Sequence, residues 1–154
     1  MTVQTQETGK VVSSVIAQSW HRCSKFMQRE TWQTPHQAQG LTFDSICRRK
    51  TALLTIGQAA LEDAWEFMDG RPCALFILDE SACILSRCGE PQTLAQLAAL
   101  GFRDGSYCAE SIIGTCALSL AAMQGQPINT AGDRHFKQAL QPWSFCSTPV
   151  FDNH

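Results

Sequence analysis

The run Gly101–Val150, GFRDGSYCAESIIGTCALSLAAMQGQPINTAGDRHFKQALQPWSFCSTPV, carries the pattern from which this fold is read. Asp104-Gly105 makes a turn. Ile113, Cys116/Ala117 and Leu120/Ala121 then fall at helical spacing, and Gly125 with Pro127 just beyond ends that helix. The five residues from Pro127 to Ala131 form an edge strand, because Pro127 has no N–H to donate to a ladder. Asp133 caps a last short helix bearing Phe136 and Ala139/Leu140. Trp143 to Phe151 reads as another strand, and Asp152-Asn153 opens a turn.

Toward the N-terminus the punctuation stays clear. Residues 1–12 are polar and expected to be a disordered N-terminus. From Ser13 or Ser14, Val15, Ile16, Ser19/Trp20, Cys23 and Phe26/Met27 keep helical spacing, which fades near Glu30. TWQTPHQAQG then forms a connecting loop, so residues 13–40 are an N-terminal helix and its loop. Thr42 can cap a helix reaching Met68, about 40 Å long at 1.5 Å per residue and expected to bend or break near Arg48. Gly70 and Pro72 stop it. CALFILD, a turn at Asp79-Glu80-Ser81, and ACILSR predict an antiparallel hairpin over Cys73–Arg87. Glu90-Pro91 starts a short helix with Pro91 at its first position, closed by Gly101. The order of elements is that of a mixed α/β domain of the α+β kind.

Composition bounds the function. With 154 residues, 44% hydrophobic and 17% charged, the chain is globular and of one-domain size. A net charge of −2 gives no nucleic-acid footprint. The charge is uneven, however. Arg22, Lys25, Arg29, Arg48, Arg49 and Lys50 precede an acidic stretch holding Glu62, Asp63, Glu66, Asp69, Asp79, Glu80 and Glu90. This is either a pair of solvated faces or a docking surface. The eight cysteines include no C-x-x-C pair, and several sit inside apolar runs. No signal peptide and no apolar run of about 20 residues is present, so a reducing cytoplasm is expected.

No catalytic signature is found: the phosphate-loop, G-x-G-x-x-G, H-E-x-x-H and G-x-S-x-G patterns are all missing. No metal and no cofactor is expected. Cys108, just before a helix start, is the best placed of the thiols for nucleophilic chemistry, and Cys83, Cys88 and Cys116 are the other redox candidates. Tyr107, Glu110, Thr115, His135 and Trp143 are polar-tipped residues among apolar ones. They either line a small-molecule pocket or satisfy one another at the edge of a core.

Three groups of residues resemble the sensory N-terminal region of bacterial sigma-54-type enhancer-binding transcription activators, whose sensor is a GAF domain. Ser19-Trp20-His21-Arg22-Cys23 resembles the S-W-x-R-C element of the helix before that domain. Glu110 to Ala117, ESIIGTCA, resembles its E-x-x-I-G-T-N-A helix start. Pro127 to Thr130, Asp133 to Phe136 and Trp143 to Asp152 follow its later elements in order. Cys116 stands where many members have Asn, and Arg134 where Glu is usual.

The resemblance implies a GAF-like antiparallel sheet flanked by helices, over residues 41–154, with the N-terminal helices packed on one face. It implies a non-enzymatic sensor controlling dihydroxyacetone and glycerol metabolism genes, docked by dihydroxyacetone kinase subunits and homodimeric in a longer protein. Neither membrane contact nor direct nucleic-acid binding is expected of these residues. Trp20, Arg22, Arg48, Arg49 and Trp65 are the expected docking residues. Phe76, Phe102, Tyr107, Cys108, Glu110, Thr115, His135, Phe136 and Trp143 are the expected pocket residues. The alternatives are a small-molecule receptor and, because some GAF-fold proteins are such enzymes, a cysteine-dependent free methionine sulfoxide reductase. One or two strands after the Asp152 turn, an ATPase domain and a helix-turn-helix are expected to be missing.

Overall fold

The computed structural model describes residues 2–152, with side chains from residue 13 onward. In chain order the elements are α1 (Thr2–Ser24), α2 (Gly40–Arg49), α3 (Thr51–Met68), β1 (Ala74–Leu78), β2 (Ile84–Gly89), α4 (Pro91–Ala99), α5 (Glu110–Ile113), α6 (Ala117–Gln124), β3 (Ile128–Ala131) and β4 (Ser144–Ser147). Two 3-10 turns, Gly132–Arg134 and Gln138–Leu140, lie between β3 and β4. The elements form two compact units, Thr34–Cys108 and Met1–Gln33 with Ala109–His154.

The unit Thr34–Cys108 is built on the predicted hairpin. β1 and β2 pair antiparallel from Ala74↔Gly89 to Ile77↔Ser86, and the register then shifts so that Leu78 meets Ile84. Asp79 forms the turn by accepting hydrogen bonds at Oδ1 from the N–H of Ser81 (2.9 Å) and of Cys83 (3.0 Å). The next segment extends this ribbon. Ala38 N donates to Gly105 O (2.8 Å) and Tyr107 N to His36 O (2.9 Å), while Ile84 N donates to Ser106 O (2.9 Å) and Cys108 N to Ala82 O (2.8 Å). Residues 105–108 therefore lie between 36–38 and 82–84, satisfying backbone groups that would otherwise be orphaned.

α3 packs on both strands. Its Leu53, Leu54 and Leu61 close over Ile46, Ile77, Cys83 and Leu85. Gly57 permits the approach, since a Cβ there would stand 2.7 Å from Ile77 Cδ1. A mid-helix glycine costs about 1 kcal/mol relative to alanine, which the close seating offsets. The long helix expected from Thr42 is interrupted at Lys50, whose φ of −112° and ψ of 24° leave the helical region. The Thr51 hydroxyl takes the Arg48 carbonyl at 2.7 Å, a local bond that competes with helical pairing. α4 begins as the sequence predicts: Glu90 accepts from Gln92 N (3.1 Å) and Thr93 N (2.6 Å), with Pro91 next in the chain.

In the second unit α6 packs on the β3–β4 hairpin, which pairs from Ile128↔Ser147 to Ala131↔Ser144. The single helix expected across Ile113–Ala121 is two pieces. Gly114 separates them at φ 76° and ψ −158°, a conformation essentially closed to other residues. The helix expected after Asp133 is reduced to the two 3-10 turns, because His135 and Lys137 have extended backbones. β4 stops at Ser147, short of the predicted Phe151, as β3 offers only four partners.

α1 differs from the expectation at both ends. It runs back to Thr2 through residues expected to be disordered, in line with the low cost of propagating a nucleated helix. It closes at Ser24, where Lys25 N and Met27 N turn back to the carbonyls of Arg22 and Cys23. No helix among the described residues is long and apolar enough to cross a membrane.

Candidate functional site

Positions 19, 22 and 23 share one face of α1, and their side chains converge on the start of α5 and the segment after it. Arg22 holds Glu110 with two parallel bonds, Nε to Oε1 at 2.7 Å and Nη2 to Oε2 at 2.8 Å. Ser19 Oγ donates to the same Oε2 at 2.8 Å and lies 2.7 Å from Thr115 Oγ1, from which it can accept. Cys23 Sγ is 3.7 Å from that Thr115 hydroxyl. Burial raises the Glu110 carboxyl, but the bonds from Arg22 and Ser19 outweigh it, and the group titrates below the usual carboxylate range. Glu110 in turn raises the Arg22 guanidinium. Burial raises the Cys23 thiol. The result is a circuit in which donors are matched to acceptors: a clasp between α1 and α5.

A second clasp lies beside it. Trp20 donates through Nε1 to Arg134 O at 2.7 Å and meets Phe136 edge-on at 5.1 Å. The Arg29 guanidinium lies 4.7 Å over the Trp20 ring, and its Nε donates to Phe136 O at 3.3 Å. Lys137 is buried, with Nζ donating to Gln28 O (2.7 Å) and Thr31 O (2.6 Å). The segment after α1 is thus tied to residues 134–138 by side chains from both.

The third cluster ties α6 to the β3–β4 hairpin. Thr130 Oγ1 accepts from Ala117 N at 2.9 Å and shares a 2.9 Å bond with His135 Nε2. His135 is fully buried and edge-on to Phe145, and among the described residues its Nδ1 has no hydrogen-bond partner. Burial lowers the His135 pKa, against an opposing effect of the Gly132 and Leu140 backbone, so the neutral ring is favoured.

The expected pocket residues divide between the units. Glu110, Thr115, His135 and Phe136 enter the clusters above, and Trp143 is partly buried at the entry to β4. In the other unit Phe102 and Cys108 are fully buried, while Phe76 and Tyr107 are partly so. Tyr107 alone of the nine lines a cleft of about 200 Å³ between Ile46, Arg49, Lys50 and the Asp79–Ser81 turn. Lys50 Nζ and Glu80 Oε2 pair there at 2.7 Å. Of the expected docking residues, Trp20 and Arg22 are engaged inside their unit, Trp65 is partly buried, and Arg48 and Arg49 are exposed.

Two of the thiols named as redox candidates are poorly set for attack. Burial pushes Cys83 and Cys116 up to about 12, leaving them protonated at neutral pH. All eight cysteines are free, and no group of three His, Cys, Asp or Glu side chains suited to a metal occurs among the described residues.

Sequence reasoning missed Ser19, Thr130 and Lys137. A polar Ser19 within the apolar stripe of α1 was a usable signal. Nothing in the sequence marks Lys137 as buried, because its partners are backbone carbonyls over 100 residues away.

Comparison with known proteins places these features in a family. The GAF domain pattern matches residues 52–154. The chain is 86% identical, over all 154 of its residues, to the glycerol metabolism operon regulatory protein of Citrobacter freundii. It is 69% identical over 145 residues, 94% of its length, to the PTS-dependent dihydroxyacetone kinase operon regulatory protein of Escherichia coli K12. It spans about a quarter of these relatives, 24% and 23% of their lengths. Among solved structures, a chain of the E. coli DhaR(N)–DhaL complex superposes with a TM-score of 0.88 at 71% identity, covering 90% of this chain and 47% of that one.

Proposed function

Because the chain belongs to the GAF domain family, we propose that it is the signal-receiving region of a transcription activator for dihydroxyacetone and glycerol metabolism genes, and that a dihydroxyacetone kinase subunit docked on it is the signal. The observation that carries this reading is the likeness, at 71% identity, to a chain solved in a complex with DhaL. The two operon regulators at 86% and 69% identity support the gene class.

The chemistry favours regulation over catalysis. The Glu110 carboxylate is held by Arg22 and Ser19, and the Cys83 and Cys116 thiols are protonated. Such groups fix a shape and do not activate a substrate. A docked protein acts on such a domain by binding two of its conformations unequally. The activator works in the cytoplasm, where eight free thiols stay reduced, and contact with DNA belongs to other parts of the longer protein.

Size-exclusion chromatography of the chain mixed with a DhaL-type kinase subunit tests the reading. A co-eluting complex that neither component forms alone is expected. Separate elution at about 100 μM of each protein overturns it.

A further inference from the structure

The cleft beside Tyr107 carries charges that the fold leaves open. Arg49 and Lys50 line it where α2 gives way to α3, and Asp79 and Glu80 line it from the turn after β1. Lys50 Nζ and Glu80 Oε2 neutralise each other at 2.7 Å. Neither Arg49 nor Asp79 takes part in an ion pair among the described residues. Asp79 Oδ1 is committed to the N–H groups of Ser81 and Cys83, and Oδ2 remains as an acceptor. One cation and one carboxylate are therefore left over.

These two charges face the same space. Burial, Cys83 and Asp79 raise the Tyr107 phenol, and the Arg49 charge works against them, so both charges stand within electrostatic reach of one hydroxyl. That hydroxyl is held in place. Tyr107 N donates to His36 O at 2.9 Å, and the two rings stack with centroids 6.1 Å apart and planes 12° from parallel. Ser81 adds a second hydroxyl at the rim, and the buried Ile46 supplies an apolar wall. Among the described residues neither hydroxyl makes a hydrogen bond.

Size and charge together define what fits. The cleft holds about 200 Å³. Pockets for drug-sized ligands begin at about 300 Å³, so the occupant has few heavy atoms. A simple anion satisfies Arg49 but is repelled by Asp79, and a simple cation meets the reverse. A molecule carrying a carboxylate and an ammonium on one carbon answers both at no net charge. Its carboxylate suits the two-pronged donor geometry of a guanidinium.

We propose that this cleft binds a free α-amino acid with a short side chain, its carboxylate on Arg49 and Tyr107, its ammonium on Asp79 and its side chain against Ile46. The bound molecule ties the end of α2 to the hairpin turn. This site is separate from kinase docking, and no kinase subunit enters its test.

Amide-detected NMR titration of the chain with L-alanine, L-serine and L-threonine reads the site. Saturable shifts at the N–H groups of Arg49, Ser81 and Tyr107 are expected, with Kd of about 10 mM or tighter for at least one of the three. L-Lactate and L-alaninamide, which keep the skeleton but lose one charge each, should bind at least tenfold more weakly. Arg49→Met should weaken amino-acid binding at least tenfold, while Arg48→Met, the neighbouring exposed arginine outside the cleft, should leave it unchanged. Both positions are exposed, so circular dichroism should show each variant folded. No saturable shift from any of the three amino acids at about 50 mM overturns the proposal. Lactate binding as tightly as alanine reduces the cleft to an anion site and overturns it too, as does binding that survives Arg49→Met.

Discussion

Arg22 and Glu110, 88 residues apart in sequence, meet through two charge-assisted hydrogen bonds of 2.7 and 2.8 Å that fix α1 to the start of α5. Glu110 is the deeper partner, with its side chain 14% exposed against 39% for Arg22. Glu110→Gln keeps the shape but removes the charge that Arg22 and Ser19 satisfy. It should destabilise the chain by about 1–3 kcal/mol in urea unfolding. Arg22→Lys, which cannot form the two-pronged contact, should fall toward the low end because its head is partly screened by water. Losses under about 0.3 kcal/mol for both variants contradict the clasp.

Gly114 is the joint between α5 and α6. With φ at 76° and ψ at −158°, an alanine there is strained by about 1–3 kcal/mol. The nearest atoms to an added Cβ are 3.4 to 3.5 Å away, in the Phe136, Lys137 and Met27 side chains, so backbone strain rather than a clash sets the effect. Gly114→Ala should therefore lower the unfolding midpoint, and Gly114→Val should lower it further. An unchanged midpoint in Gly114→Ala contradicts this backbone geometry.

His135 gives the fold a pH dependence whose sign follows from burial. Its folded pKa lies below the unfolded value, so the unfolded chain binds more protons between the two. Stability from the neutral ring is complete above about pH 6.5 and falls as the pH drops toward the folded value. A single group contributes at most about 1.4 kcal/mol per pH unit in that window. Chemical denaturation between pH 7 and 5 should show wild type losing stability faster than His135→Gln. Parallel curves contradict it.

Lys137 buries an amine against two carbonyls. Lys137→Met retains the stem but leaves Gln28 O and Thr31 O without this donor. The expected loss is about 1–3 kcal/mol by thermal or urea unfolding. A neutral or stabilising effect shows that water serves those carbonyls as well.

Much of the fold was legible because it rests on local rules. The hairpin around Asp79-Glu80-Ser81, the Glu90-Pro91 start and the Gly125 stop each follow from turn or cap chemistry within a few residues. The failures are where distant contacts decide. The break at Gly114 was hidden because the apolar spacing of Ile113, Cys116 and Leu120 continues across it. The helix after Asp133 gives way to a seat for His135 on Thr130, five residues back on β3, and to one for Lys137 on the Gln28–Thr31 segment, which no local window contains. Glu110 and Arg22 were both singled out as functional, but from opposite lists. That one exists to hold the other becomes visible only when α1 and α5 are brought together.

Isothermal titration calorimetry of this chain with a DhaL-type dihydroxyacetone kinase subunit tests the proposed function most directly. Saturable binding with Kd in the micromolar range or tighter is the predicted result, corresponding to about −8 kcal/mol or better. No detectable heat or binding at about 100 μM, with both proteins shown to be folded, contradicts the account.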